Sequence, residues 1–239
     1  MLVGAEALAA VGLTRLSFDL TLPPLVPALL DEAGVPEGVR RPLSHALDRK
    51  DAAAVARYGG QLARTLTDLL LAAGAADGAL AALDAAALPP GARAIADRLA
   101  ATVAAVRRRA PALKLTVDPI EFRGFRYHTG VCMTIYAPGR HEELGRGGRY
   151  SCGVGPSDAE PATGLTLYPD AVLRAAPARQ AKPRVYLAAA TPAEAARLRS
   201  DGYATVAALT NALHADAEAR RLGCTHIFTA GSLAAIDPE

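Results

Sequence analysis

Two short stretches of this 239-residue chain gather residue types able to hold a small charged ligand. The first is Glu121–Gly130, EFRGFRYHTG, in which Arg123 on an arginine–glycine turn precedes Tyr127, His128 and Thr129. The second is Gly145–Tyr150, GRGGRY, where Gly145, Gly147 and Gly148 lead into Arg149 and Tyr150. A guanidinium can pair bidentately with a carboxylate. A tyrosine offers an aromatic wall and a hydroxyl in one side chain. Glycines allow positive φ and close backbone approach, so the second stretch is predicted as a glycine-rich turn. Taken singly, each residue also has a plainer reading. Arg123 reads as a turn arginine, Tyr127 as a core aromatic, His128 as a packed or surface histidine, and GRGGRY as a hairpin turn.

The elements that must position these residues are legible from periodicity. Met1–Val11 is predicted helical. In Thr14–Leu22, Leu16, Phe18 and Leu20 alternate with polar neighbours, the period of a half-buried strand. The next ninety or so residues read as helices. Pro24 opens one that Gly34 closes, and Pro36 and Asp51 start two more, Asp51 as an N-cap. Leu62, Leu66, Leu69 and Leu70 form one apolar stripe, and Ile95, Leu99, Val103 and Val106 another on a helix over Pro90–Arg109. The trio Arg107–Arg109 reads as a solvated helix end, favoured by the macrodipole. Lys114–Val117, Val131–Tyr136 and Gly164–Leu167 are predicted strands, Ser151–Thr163 a loop, and Asp170–Ala176 a short helix. After a linker over Ala175–Pro183, strands and helices alternate as β-α-β-α-β, which argues a small parallel sheet over residues 184–239.

Composition bounds the function. Hydrophobic residues make up 51% of the chain, enough for a sizeable core. No apolar run approaches the roughly 18 residues of a membrane span. The net charge of +2, with acids and bases interspersed, supports no nucleic-acid-binding face. Cys132, Cys152 and Cys224 are far apart and show no metal-ligand spacing, which fits reduced thiols in the cytoplasm.

EFRGFRYHTG resembles the RGxxYYTG signature with which histidyl-tRNA synthetases recognise free histidine. GRGGRY resembles the GGRYDxL loop that follows it in those enzymes. The resemblance implies an α+β fold: a partial class II synthetase-like antiparallel sheet over residues 1–176, with a helical insertion at about 23–110, and a small C-terminal α/β domain at 184–239. It also implies a histidine pocket built from Arg123, Tyr127, His128, Arg149 and Tyr150. Arg123 would lie beside the carboxylate, and His128 stands where the signature has its second tyrosine.

Departures from the pattern shape the expected function. Ala162–Leu173, ATGLTLYPDAVL, is similar to the synthetase motif AxGFAIGLERLL, and Ala171 stands at its phosphate-holding arginine. Asp170 stands at its glutamate and Tyr168 at a glycine that packs against the nucleotide. The two earlier class II motifs have no counterpart before Leu13. The resemblance is therefore strongest to regulatory subunits of ATP phosphoribosyltransferase, synthetase paralogues of histidine biosynthesis. It implies a non-catalytic protein with no cofactor, no metal and no catalytic residues. It would bind histidine and a short-form catalytic subunit, as a homo-oligomer or hetero-oligomer. The alternative is a histidyl-tRNA synthetase or a fragment of one.

Overall fold

The computed structural model describes every residue except 122–126, 154–158, 179, 210–213 and 237–239. Two compact units divide the chain, Met1–Pro177 and Ala178–Glu239.

The first unit is a six-stranded sheet covered by helices. Helix α1 (Leu2–Ala9) leads into β1 (Ser17–Thr21). Its alternation is realised as expected: Phe18 and Leu20 are fully buried, while Asp19 on the other face accepts a hydrogen bond from Thr116 Oγ1 at 2.7 Å. The helical stretch holds α2 (Leu25–Glu32), α3 (Glu37–Asp48), α4 (Ala52–Tyr58), a single 3₁₀ turn at Gly60–Leu62 and α5 (Ala63–Leu71). Asp51 caps α4 by accepting from the Ala54 amide. A two-residue strand β2 (Gly74–Ala75) precedes α6 (Ala76–Ala85) and the long α7 (Pro90–Arg109). Leu62, Leu66, Leu69 and Leu70 are buried, as are Leu99, Val103 and Val106, so both predicted stripes face the core.

The sheet is completed by β3 (Lys114–Asp118), β4 (His128–Tyr136), β5 (Glu143–Cys152) and β6 (Glu160–Leu167), with α8 (Pro169–Ala175) following. Its order is β2-β3-β1-β4-β5-β6. Only β1 and β3 run parallel; the other neighbours are antiparallel. Residues predicted as loop and turn are strand instead. GRGGRY lies inside β5, and β6 begins at Glu160 rather than at Gly164. None of Gly145, Gly147 and Gly148 takes a positive φ. Their glycines serve close approach: a Cβ on Gly145 would meet the Thr166 carbonyl oxygen at 2.4 Å, and one on Gly147 the Gly164 oxygen at 2.3 Å. A Gly and polar run without alternation hid a strand whose side-chain gaps are filled by its neighbours.

The second unit is a four-stranded sheet in the order β10-β9-β7-β8. Strands β7 (Arg184–Ala189), β8 (Ala204–Ala207) and β9 (His226–Thr229) are parallel and linked through α9 (Pro192–Ser200) and α10 (Ala215–Arg221). The sequence reading missed β10 (Ser232–Ala235), an antiparallel edge that pairs with β9. Val185 and Leu187 pack with Leu198 and Phe228 in one cluster, and Tyr186 packs with Ala219 and Cys224 in another. Covering on both faces explains why β7 is a continuous apolar run. Thr191 and Glu194 open α9 with a reciprocal capping box. Among the described residues no helix is long and apolar enough to cross a membrane.

The tight fit of β5 against β6 predicts that Gly147→Ala forces the two backbones apart. We expect a loss of about 1–3 kcal/mol in urea-induced unfolding of the first unit. Wild-type stability in that variant would contradict the close-approach reading.

Candidate ligand-binding site

Strands β4 and β5 carry His128, Arg149 and Tyr150, Tyr127 immediately precedes β4, and a bulge in β4 sorts these residues between two faces. His128 pairs with Tyr150, but the next pair is Cys132 with Gly148, so residues 129–131 stand opposite Arg149 alone. Such a bulge re-aims side chains locally.

On one face is a cleft of about 490 Å³ whose walls include Tyr127, His128 and Tyr150. The Tyr127 and His128 rings are 3.9 Å apart between centroids, tilted by 34°. Tyr127 meets Tyr150 edge to face, with centroids 6.2 Å apart and planes at 72°, a favoured aromatic geometry. Tyr127 is 58% exposed, so the plainer reading of it as a core aromatic is excluded. Glycines make the floor. A Cβ on Gly148 would lie 3.0 Å from His128 Cδ2 and 2.7 Å from Cys132 Sγ. One on Gly164 would lie 2.9 Å from the Tyr150 hydroxyl oxygen.

Two charged residues of this cleft received no role in the sequence reading. Glu121 lines it, half-buried. Burial, and secondarily the negative charge of Glu121, push the Cys132 thiol up to about 12, so this thiol stays protonated and unreactive. Arg146 also lines the cleft, held by Glu143 through two parallel bonds: Nε donates to Oε2 at 2.5 Å and Nη2 to Oε1 at 2.7 Å. The missed signal is strand periodicity: Arg146, Gly148 and Tyr150 share a face of β5, which a turn reading conceals. Tyr168 completes the wall beside Thr166.

The other expected site residues fall elsewhere. Arg149 does not join Tyr150, because neighbouring strand residues point to opposite faces. It lines a second cavity, of about 1010 Å³, on the far side of β4 and β5. Arg123 lies outside the described residues. Ala171 is 5% exposed within the core of the first unit, while its neighbour Asp170 pairs with Arg174.

Chemically, the cleft offers a carboxylate, a held guanidinium, four aromatic rings and threonine hydroxyls. This set suits a small zwitterion with a flat side chain. Burial lowers the His128 pKa from the ordinary 6.5, so the folded state favours the neutral imidazole. The unfolded chain then binds the proton more readily. The stability that neutral His128 supports is present above about pH 6.5 and is lost as pH falls below it. Titration of the His128 ring by NMR should give a midpoint below 6.5. A midpoint at or above that value would show that burial does not govern this ring.

Residues 1–172 match the family model described as "Histidyl-tRNA synthetase". The chain is 49% identical over 231 residues to the ATP phosphoribosyltransferase regulatory subunit of Gluconobacter oxydans, covering 96% of this chain and 59% of that protein. It is 47% identical over 234 residues to the protein of the same name from Rhodospirillum centenum, covering 98% and 60%. The chain thus spans about 60% of the length of these curated relatives. In fold it is similar to the histidyl-tRNA synthetase from Nostoc sp. PCC 7120, with a TM-score of 0.69 at 16% identity, covering 97% of this chain and 62% of that one.

Proposed function

The chain belongs to the histidyl-tRNA synthetase family, and we propose that within it this protein is a non-catalytic regulatory subunit of ATP phosphoribosyltransferase that binds free histidine. The observation that carries the reading is the cleft in which Tyr127, His128 and Tyr150 surround a space bounded by Glu121 and Arg146. Histidine has three parts to satisfy. Its ammonium pairs with the Glu121 carboxylate, and its carboxylate with a guanidinium. Arg123 fills that last role in the resemblance, and Arg146 stands ready in the cleft. The imidazole is a flat ring with one donor and one acceptor, matched by aromatic walls that carry hydroxyls.

The names of the relatives support the regulatory role. So does Ala171: a buried methyl replaces a phosphate-holding arginine and supplies no charge to a triphosphate. Tyr168 on the cleft wall adds bulk where the synthetase motif has glycine. The partner is a short-form catalytic subunit of ATP phosphoribosyltransferase. The three cysteines are free thiols, in keeping with a reducing cytoplasm.

Isothermal calorimetry with histidine tests the site. Loss of one charge-assisted bond costs about 1.5–3 kcal/mol, so Arg123→Ala and Glu121→Gln should each weaken binding roughly ten- to hundredfold. Tyr127→Ala and Tyr150→Ala should weaken it comparably through lost ring contacts. Equal affinity in wild type and all four variants would reject the cleft. Size-exclusion chromatography with the catalytic subunit tests the partner, and co-elution is expected. Histidine-dependent ATP–pyrophosphate exchange above background would instead favour a synthetase.

A further inference from the structure

By sequence, Arg107–Arg109 reads as a solvated helix end. The structure divides the trio. Arg107 pairs with Asp77, Nη1 to Oδ1 at 2.6 Å. Arg108 and Arg109 instead line the 1010 Å³ cavity, together with Arg98 from the same helix and Arg149 from β5. The four guanidinium groups make no hydrogen bond or ion pair with any described residue, and no carboxylate of the described residues lines the cavity. Four unpaired like charges around one concavity repel each other, and an anion relieves that repulsion.

The arrangement has a shape. Arg98 and Arg109 lie on one face of α7, and Arg108 borders it. Ten residues of helix separate Arg98 from Arg108, about 15 Å. Arg149 stands on the opposing wall. Its aliphatic stem lies over Gly130, 3.2–3.6 Å from where a Cβ would be, so a side chain at position 130 would displace it. The bulge that turns Thr129 to this face makes the site specific to this register of β4. Thr129 and Thr163 add hydroxyl donors.

From this geometry we infer a second ligand site, on the face of the sheet opposite the aromatic cleft, that takes a small polyphosphate compound. A single carboxylate satisfies one guanidinium. Cations spread over about 15 Å call for several anionic groups in one ligand. The cavity is at the upper end of small-molecule sites and well short of a macromolecular interface. Guanidinium and hydroxyl groups together match phosphate oxygens. This site is independent of the histidine reading.

Calorimetry of the 239-residue chain at low salt, with tripolyphosphate and with ATP as separate probes, tests it. One-to-one binding of either probe is expected, weakened about tenfold or more by Arg149→Gln and by Arg108→Gln. Arg107→Gln should leave it unchanged, because that side chain is committed to Asp77. All three arginines are exposed, so the variants should fold, which circular dichroism would verify. Equal affinity for the two probes identifies the phosphate chain as the recognised group. Tighter ATP binding adds the apolar floor as a base-binding wall. The proposal is overturned if neither probe binds. It is equally overturned if all three variants weaken binding alike, which would mean diffuse charge attraction, or if poly-glutamate binds in place of both probes.

Discussion

The aromatic cleft depends on two missing Cβ atoms. His128 and Tyr150 lie across the sheet surface because Gly148 and Gly164 leave it bare beneath them. With alanine at either position, a ring would stand away from the strands, and the space between Tyr127 and Tyr150 would close or widen. The same economy of side chains lets β5 run close to β6 at Gly145 and Gly147. Glycine usually weakens a strand. Here the weakness is tolerated because β5 is an interior strand, paired on both sides along most of its length.

On that floor the charges are arranged by opposition. Glu121 follows β3 and Arg146 rises from β5, and both line the cleft. Glu143 holds Arg146 in a two-bond pair, which fixes the direction of the guanidinium while neutralising part of its charge. A pair fixed in this way discriminates by geometry more than by net attraction. Neutral His128 fits the same logic. In the proposed histidine complex a cationic imidazole would repel the ligand's ammonium group, and burial disfavours that form.

Much of the scaffold was legible in the sequence because its signals are local. Alternation in Leu16–Leu20, the stripe Leu62–Leu70 and the cap Asp51 each depend on residues a few positions apart, and each appears as read. The site was legible only in part. Glycine between polar residues reads as a turn, since what justifies Gly145 and Gly147 is a carbonyl on β6, some twenty residues away. Once GRGGRY is taken for a turn, Arg149 and Tyr150 look like neighbours in one pocket. As a strand it sends them to opposite faces, and it brings Arg146 into the cleft instead. The bulge in β4 is equally silent in sequence, because only pairing reveals it. Edge strand β10 escaped for a related reason: Ser232–Ala235 is exposed throughout, so no buried face imposes a pattern.

The bulge also lies between the two cavities. Cys132, Met133 and Gly148 contribute to the walls of both cavities, so the two lie back to back across one thickness of sheet. Residues 129–131 form the segment between His128 on one face and Cys132 in the floor. Energetic coupling requires that a ligand bind two arrangements of that segment with different affinity. A bulge supplies a place where register, and therefore arrangement, can change without breaking the flanking pairs. Three residues opposite one give the proposed histidine cleft and the proposed anion site a shared backbone segment, and it is there that such differential binding would have to act.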